Sequence, residues 1–221
     1  MNKLLRVISF IGLLILTQCE NTKSRRLPYY KDPFFTPHWI EKGDERLKDF
    51  HTISPFQLIN QNGDSISNLT FMNKIYVADF FFTRCPGICP KMTENMSKIQ
   101  DSFIEDNDIL LLSHSVTPEL DSIAILQEYA KEKGVIDGKW HLATGDRDQI
   151  YSLGRNDYFV EEDLGIKKTA DDFIHTENFV LIDGRGHIRG IYNGLNTGSV
   201  QQLIEDILLL KEEKRAKLKE D

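Results

Sequence analysis

The chain has 221 residues, 40% hydrophobic and 28% charged, enough for one domain of ordinary size with a real core plus tails. A net charge of −7 and an isoelectric point near 5.4 argue against nucleic acid as a partner, since its binding is driven by basic patches. No uninterrupted apolar run reaches the roughly 18 residues expected of a membrane span.

At the N-terminus, Lys3 and Arg6 precede the apolar run from Val7 to Leu16, the layout of a secretory signal and too short for a membrane helix. The run ends in Leu16-Thr17-Gln18-Cys19, similar to the bacterial lipoprotein cleavage box, with Gln18 where that pattern usually carries Gly, Ala or Ser. Residues 1–19 are thus expected to be a lipoprotein-type signal segment, with Cys19 the lipidated first residue of an exported, membrane-anchored protein of the cell envelope. It would face the periplasm or extracytoplasmic space. The competing reading is an uncleaved anchor, or an ordinary signal whose cysteine is incidental.

Residues 20–50 are polar and irregular, with Pro28, Pro33 and Pro37 among Tyr29, Tyr30, Phe34, Phe35 and Trp39. They read as a tether packing loosely on a domain that spans 51–210. Two alternating segments, 56–60 and 65–69, flank Asn62-Gly63, a strong hairpin signal. The apolar run 75–82 predicts a buried strand, and Met92, Met96, Ile99 and Phe103 predict a helix over about 90–105. A second buried strand is expected at 109–113, a helix from Ser122 to Lys133 ended by Gly134, a short strand at 140–144 and a helix at 149–159. Segments 178–183 and 187–192 form another hairpin around Gly184-Arg185-Gly186. A last helix begins near Ser199 and runs into a charged tail, 211–221, read as a solvated, fraying end. This order predicts an α/β fold: a mixed sheet covered by helices on both faces, with an N-terminal hairpin.

Two thiols remain once Cys19 is set aside, both in Thr83-Arg84-Cys85-Pro86-Gly87-Ile88-Cys89-Pro90, where a strand hands over to a helix. Backbone N–H groups and the positive end of the helix dipole stabilise a thiolate there. An i, i+4 spacing on a helical turn brings the two Cα atoms to about 6 Å, within the range of a disulfide. A disulfide closing so short a loop stabilises little, so the pair is there for chemistry. Either it exchanges electrons with another dithiol, or it holds a soft ion such as copper(I), or copper(II) with an added imidazole. Six histidines are available as a third ligand: His38, His51, His114, His141, His175 and His187. His175 has a topological merit, because its loop precedes strand 178–183 and so approaches the cysteine-bearing helix.

The strand, the Cys-Pro-x-x-Cys-Pro element and the late His175-Thr176 ahead of a strand and Asp183-Gly184 together resemble the Sco/SenC family over roughly residues 55–210. The resemblance implies a thioredoxin-like fold, copper held by Cys85, Cys89 and His175, and a role in building the dinuclear copper centre of a cytochrome c oxidase subunit. It also leaves room for another copper or thiol protein as partner. Ile174 departs from the Asp that often precedes the family's histidine, and Asp171 and Asp172 lie nearby. A generic thioredoxin likeness adds Asp79, six residues before Cys85, as a proton relay for the second cysteine or else as a structurally paired acid.

Three readings follow. In the first the protein is a copper metallochaperone. In the second it is an exported thiol-disulfide oxidoreductase, with Cys85 as attacking and Cys89 as resolving thiol. The third is a thioredoxin-fold domain of peroxiredoxin-like or structural kind. A gap of three residues between the cysteines, where dedicated oxidoreductases favour two, tips the balance to copper. The Pro-x-x-x-Thr-x-x-Cys arrangement of a peroxidase is missing ahead of Cys85.

Overall fold

Around Asn62-Gly63 the chain folds back as an antiparallel hairpin of β1 (Gln57–Ile59) and β2 (Ser65–Ser67), with Leu58 opposite Ile66 and both buried. Gly63, at φ 83°, supplies the left-handed turn residue. The alternation expected to run on to Leu69 stops at Ser67. There a capping box with Thr70 starts the short helix α1 (Asn68–Phe71) instead.

This computed structural model describes residues 26–41, 43–160 and 176–217. Strand β3 (Ile75–Phe81) leads to helix α2 (Cys89–Ser102), and β4 (Ile109–Ser115) to helix α3 (Ile123–Lys133). Ser122 caps α3, and Gly134 closes it in the left-handed conformation. Strand β5 (Trp140–Ala143) precedes α4 (Arg147–Ser152), whose N-terminus is capped by Asp146 and which widens into a π-helical turn over Leu153–Asp157. The hairpin β6 (Asn178–Ile182) and β7 (Ile188–Asn193) follows, then α5 (Thr197–Lys217).

The five-stranded sheet has the order β5-β4-β3-β6-β7, with β3, β4 and β5 parallel and β6 and β7 antiparallel. Strands β3 and β4 are buried at every position, and their residues are apolar apart from Asp79 and the Ser113-His114-Ser115 end of β4. Alternate residues of β3 serve two layers. Val77 and Phe81 pack with Met92, Met96, Leu126, Leu203 and Ile207 of α2, α3 and α5. Tyr76, Ala78 and Phe80 pack on the other face with Phe56, Phe71, Ile150 and Tyr158. The mixed sheet with helices on both faces and the leading hairpin are as expected.

Two segments differ from expectation. From Leu27 onward the N-terminal extension docks closely: Leu27 and Tyr29 are buried, Tyr29 pairs with His38, and Tyr30 pairs with Ile188 of β7. The cause is Arg189, buried on β7 and obliged to find partners. Its guanidinium donates to the carbonyls of Leu27 and Pro28 and lies 4.0 Å from the Tyr29 ring centre. The C-terminal segment likewise stays helical to Lys217. It is held where Glu213 pairs with Arg189 at 3.0 Å and Lys214 with Asp108 at 3.0 Å.

Candidate dithiol site

Past Phe81 the chain leaves the sheet through a turn at Thr83-Arg84 and enters α2 at Cys89. Pro90 is tolerated in the first helical turn, where no N–H partner is lost. The N-cap residue is Ile88, which offers no side-chain acceptor, and no acidic residue occupies the first turn. Pro90 has no N–H and the Lys91 and Met92 N–H groups close on the Ile88 carbonyl. Cys89 is thus the one residue of this helix end whose N–H reaches the Cys85 sulfur, joined by Gly87 and Ile88 of the turn before it. Cys85 and Cys89 are both free thiols, Cys85 half-buried and Cys89 buried. Partial burial would raise the Cys85 thiol, but hydrogen bonds from Cys89 and from the backbone N–H groups of Cys89, Gly87 and Ile88 outweigh it and lower the pKa. Cys89 is raised, chiefly by burial and by donating to Cys85. The two sulfurs are thus shifted in opposite directions, Cys85 toward the thiolate and Cys89 toward the thiol.

Asp79 lies on the helix-facing side of β3, 2% exposed, and its charge acts on Cys89 and Tyr129. Burial pushes its carboxyl up to about 7, against a smaller lowering by Ser113. The Ser113 hydroxyl also accepts from the Trp140 indole at 2.9 Å, and Asp79 Oδ1 has no hydrogen-bond partner.

His175 lies outside the described residues, as do Asp171, Asp172, Ile174 and Cys19. Of the other histidines, His114 faces the opposite layer, stacked on Phe80 at 4.6 Å with Nδ1 on the Asp79 carbonyl. His141 meets Asn60, His51 the Asp157 carbonyl, His187 the His51 carbonyl, and His38 packs on Phe50. Among the described residues no group of three His, Cys, Asp or Glu side chains is poised around an ion. The described chain resumes at Thr176 and enters β6 at Asn178. Continuing the pairing of Ala78 with Val180 puts Asn178 level with Phe80, toward the end of the sheet where the cysteine turn begins. Thr83 is bonded to the buried Asp121, a residue that no motif singles out. Its one sequence signal is an acid between β4 and α3.

A family model described as SCO1/SenC matches residues 44–211. The chain is similar to the solved SCO1/SenC family lipoprotein from Bacillus anthracis, with 30% identity and a TM-score of 0.64 over 73% of this chain and 95% of that one. It is also similar to BsSco, a member of the Sco family of cytochrome c oxidase assembly proteins in which a disulfide switch has been identified. That likeness has 27% identity and a TM-score of 0.61, over 72% of this chain and 93% of the other. A third solved structure is Arabidopsis thaliana ScoI with copper bound, at 26% identity and a TM-score of 0.55 over 73% and 98% of the two chains.

Proposed function

The chain belongs to the SCO1/SenC family, and from that premise we propose that it is a copper-carrying chaperone for assembly of the copper centre of cytochrome c oxidase. Its fold is the family's thioredoxin-like arrangement. The observation that carries the reading is the dithiol itself: the half-buried Cys85 sulfur, accepting from the Cys89 thiol and from the N–H groups of Cys89, Gly87 and Ile88, beside the buried Cys89. Copper is the cargo here. Sulfur is the soft donor that copper(I) selects, and the half-buried position of Cys85 leaves a face through which an ion can arrive and leave. Cys85 engages first as thiolate, and Cys89 releases its proton only when the ion replaces it. His175 is the proposed third ligand, supported by the entry of β6 toward this end of the sheet. Solved relatives hold copper or belong to oxidase assembly, which supports an oxidase subunit with a copper site as partner.

No helix among the described residues is long and apolar enough to cross a membrane. Attachment is proposed to fall to the N-terminal segment, through lipid on Cys19, with the domain in the extracytoplasmic space. A relative of this family is itself a lipoprotein.

A second reading is favoured by Asp79. In an exchange reaction the Cys85 thiolate attacks a substrate disulfide, forming a mixed disulfide and releasing one substrate thiolate. Cys89 then passes its proton to ionised Asp79 and attacks the Cys85 sulfur. The Cys85–Cys89 disulfide closes, and the second substrate thiolate leaves.

Copper titration of the reduced protein discriminates between the two. The chaperone reading expects one copper per chain, an intense sulfur-to-copper(II) charge-transfer band lost in Cys85→Ser and Cys89→Ser, and His175→Ala weakening copper(II) more than copper(I). Rapid turnover of a disulfide substrate by a protein that takes up no copper would overturn it in favour of the exchange reaction.

A further inference from the structure

Asp121 is 1% exposed and takes no part in either reading of the site. Its carboxylate accepts from the Thr83 hydroxyl at 2.6 Å, the Thr83 N–H at 3.3 Å, the Ser115 hydroxyl at 2.5 Å and the Thr117 hydroxyl at 3.0 Å. A carboxylate so buried is tolerable only when donors replace its water, and here all four come from neutral groups rather than from a cation. It does not cap α3, because Ser122 performs that task. What it joins is informative. Ser115 ends β4 and Thr117 lies in the β4–α3 connection, whereas Thr83 belongs to the cysteine turn, two residues before Cys85.

Other restraints act on either side of Thr83: the Phe82 N–H bonds the Cys89 sulfur, and the Cys85 sulfur accepts from the Cys89, Gly87 and Ile88 N–H groups. Val116 N–H holds the strand end through the Phe81 carbonyl at 2.9 Å, and Cys85 N–H reaches the Phe82 carbonyl at a long 3.3 Å. Pro86 has no N–H to give, and Pro86, Gly87 and Ile88 are all exposed. Cys89 is fixed by α2, so where the turn departs from β3 is one of the terms that set Cys85 against it, beside the bonds the Cys85 sulfur itself accepts.

We propose that Asp121 is a positioning residue for the dithiol: by clamping Thr83 to the β4–α3 connection it sets Cys85 against Cys89, and so governs how readily the two sulfurs close on each other or on one ion. The proposal rests on the reading of Cys85 and Cys89 as the functional pair. A loosened turn presents Cys85 at closing distance less often, which lowers the effective concentration of one thiol at the other and makes the disulfide easier to reduce.

The test is equilibration of the full chain with reduced and oxidised glutathione. Closure is read by mass spectrometry of the tryptic peptide Cys85–Lys91, so Cys19 does not enter. Asp121→Asn and Thr83→Val are each expected to shift the equilibrium about tenfold against the disulfide, a midpoint about 30 mV more oxidising, while Thr83→Ser keeps the parent value. A merely structural Asp121 would lower the melting temperature of the variants and leave the midpoint unmoved, which would overturn the proposal. If Asp121→Asn does not fold, Thr83→Val against Thr83→Ser decides alone, and equal midpoints overturn it. A parent pair that never closes overturns it as well. No copper is present, so failure of the chaperone reading in a copper titration leaves this comparison standing.

Discussion

At the scale of single residues, Asp79 is the group whose environment most contradicts its chemistry. It sits in an apolar strand with one oxygen unpartnered, and burial raises its carboxyl from 3.8 to about 7. Folded protein therefore keeps this proton up to about pH 7, whereas the unfolded chain loses it near pH 4. The stability this confers is fully present below the unfolded value and is lost as pH rises through the folded one. About three pH units correspond to about 4 kcal/mol at most. Asp79→Asn keeps the shape and cannot ionise. We expect the variant to resemble the parent near pH 4 and to be more stable at pH 8 by up to about 4 kcal/mol, as read by urea unfolding at both values. A variant no more stable at pH 8 would show that the ionised carboxylate is well accommodated. If the exchange reaction operates, the same substitution also slows closure by Cys89, because Asn cannot take up its proton.

At the scale of elements, the strands and helices that build the sheet follow from local rules. Continuous burial marks β3 and β4, Asn62-Gly63 marks the first hairpin, and Ser122 and Gly134 bracket α3. The cysteine turn was legible for the same reason, since both thiols fall at one strand-to-helix junction. Docking of residues 27–41 was not, because it depends on Arg189, far along the chain, and no periodicity in the extension announces a partner on β7. Asp121 escaped notice likewise, its four donors coming from three separate places. Arg189 gathers the N-terminal extension, β7 and α5: it bonds the carbonyls of Leu27 and Pro28, meets Asp183 at 3.3 Å and Glu213 at 3.0 Å, and lies over Tyr29. Arg189→Met would remove the cation that Asp183 and Glu213 share and the donor to the carbonyls of Leu27 and Pro28. We expect a loss of about 3 kcal/mol and faster tryptic cleavage after Lys31, with Cys85 alkylation unchanged because β7 lies two strands from β3. Unaltered proteolysis would mean that the extension is held by its aromatic packing alone.

At the scale of the whole molecule, two buried groups back to back across the sheet set opposing dependences on pH. Asp79 points into the layer of α2 and α3, and His114 into the layer of Phe56, Phe80 and Tyr158, with its Nδ1 on the Asp79 carbonyl. Burial lowers the His114 pKa from 6.5 to about 4, its bond to that carbonyl offsetting only part of the effect, and Nε2 has no partner. The folded state must keep this ring neutral while the unfolded chain binds a proton below about 6.5, so stability falls as pH drops from 6.5 toward 4. Over the same window Asp79 works in the other direction, so the two slopes largely cancel. Above pH 6.5 only the loss from Asp79 continues, and it ends near pH 7. Removing either group should therefore unmask the other. Asp79→Asn should leave a protein whose stability declines by about 3 kcal/mol between pH 6.5 and pH 4. His114→Phe, which retains a ring against Phe80, should leave one whose stability rises by a similar amount as pH is lowered through that window. Carrying both substitutions together should remove both slopes and leave the acid destabilisation from His141, whose pKa burial also lowers. Denaturant unfolding of the parent and the three variants at half-unit steps from pH 4 to pH 8 tests the set. Parallel profiles for parent and His114→Phe would show that the ring already takes up its proton within the folded layer.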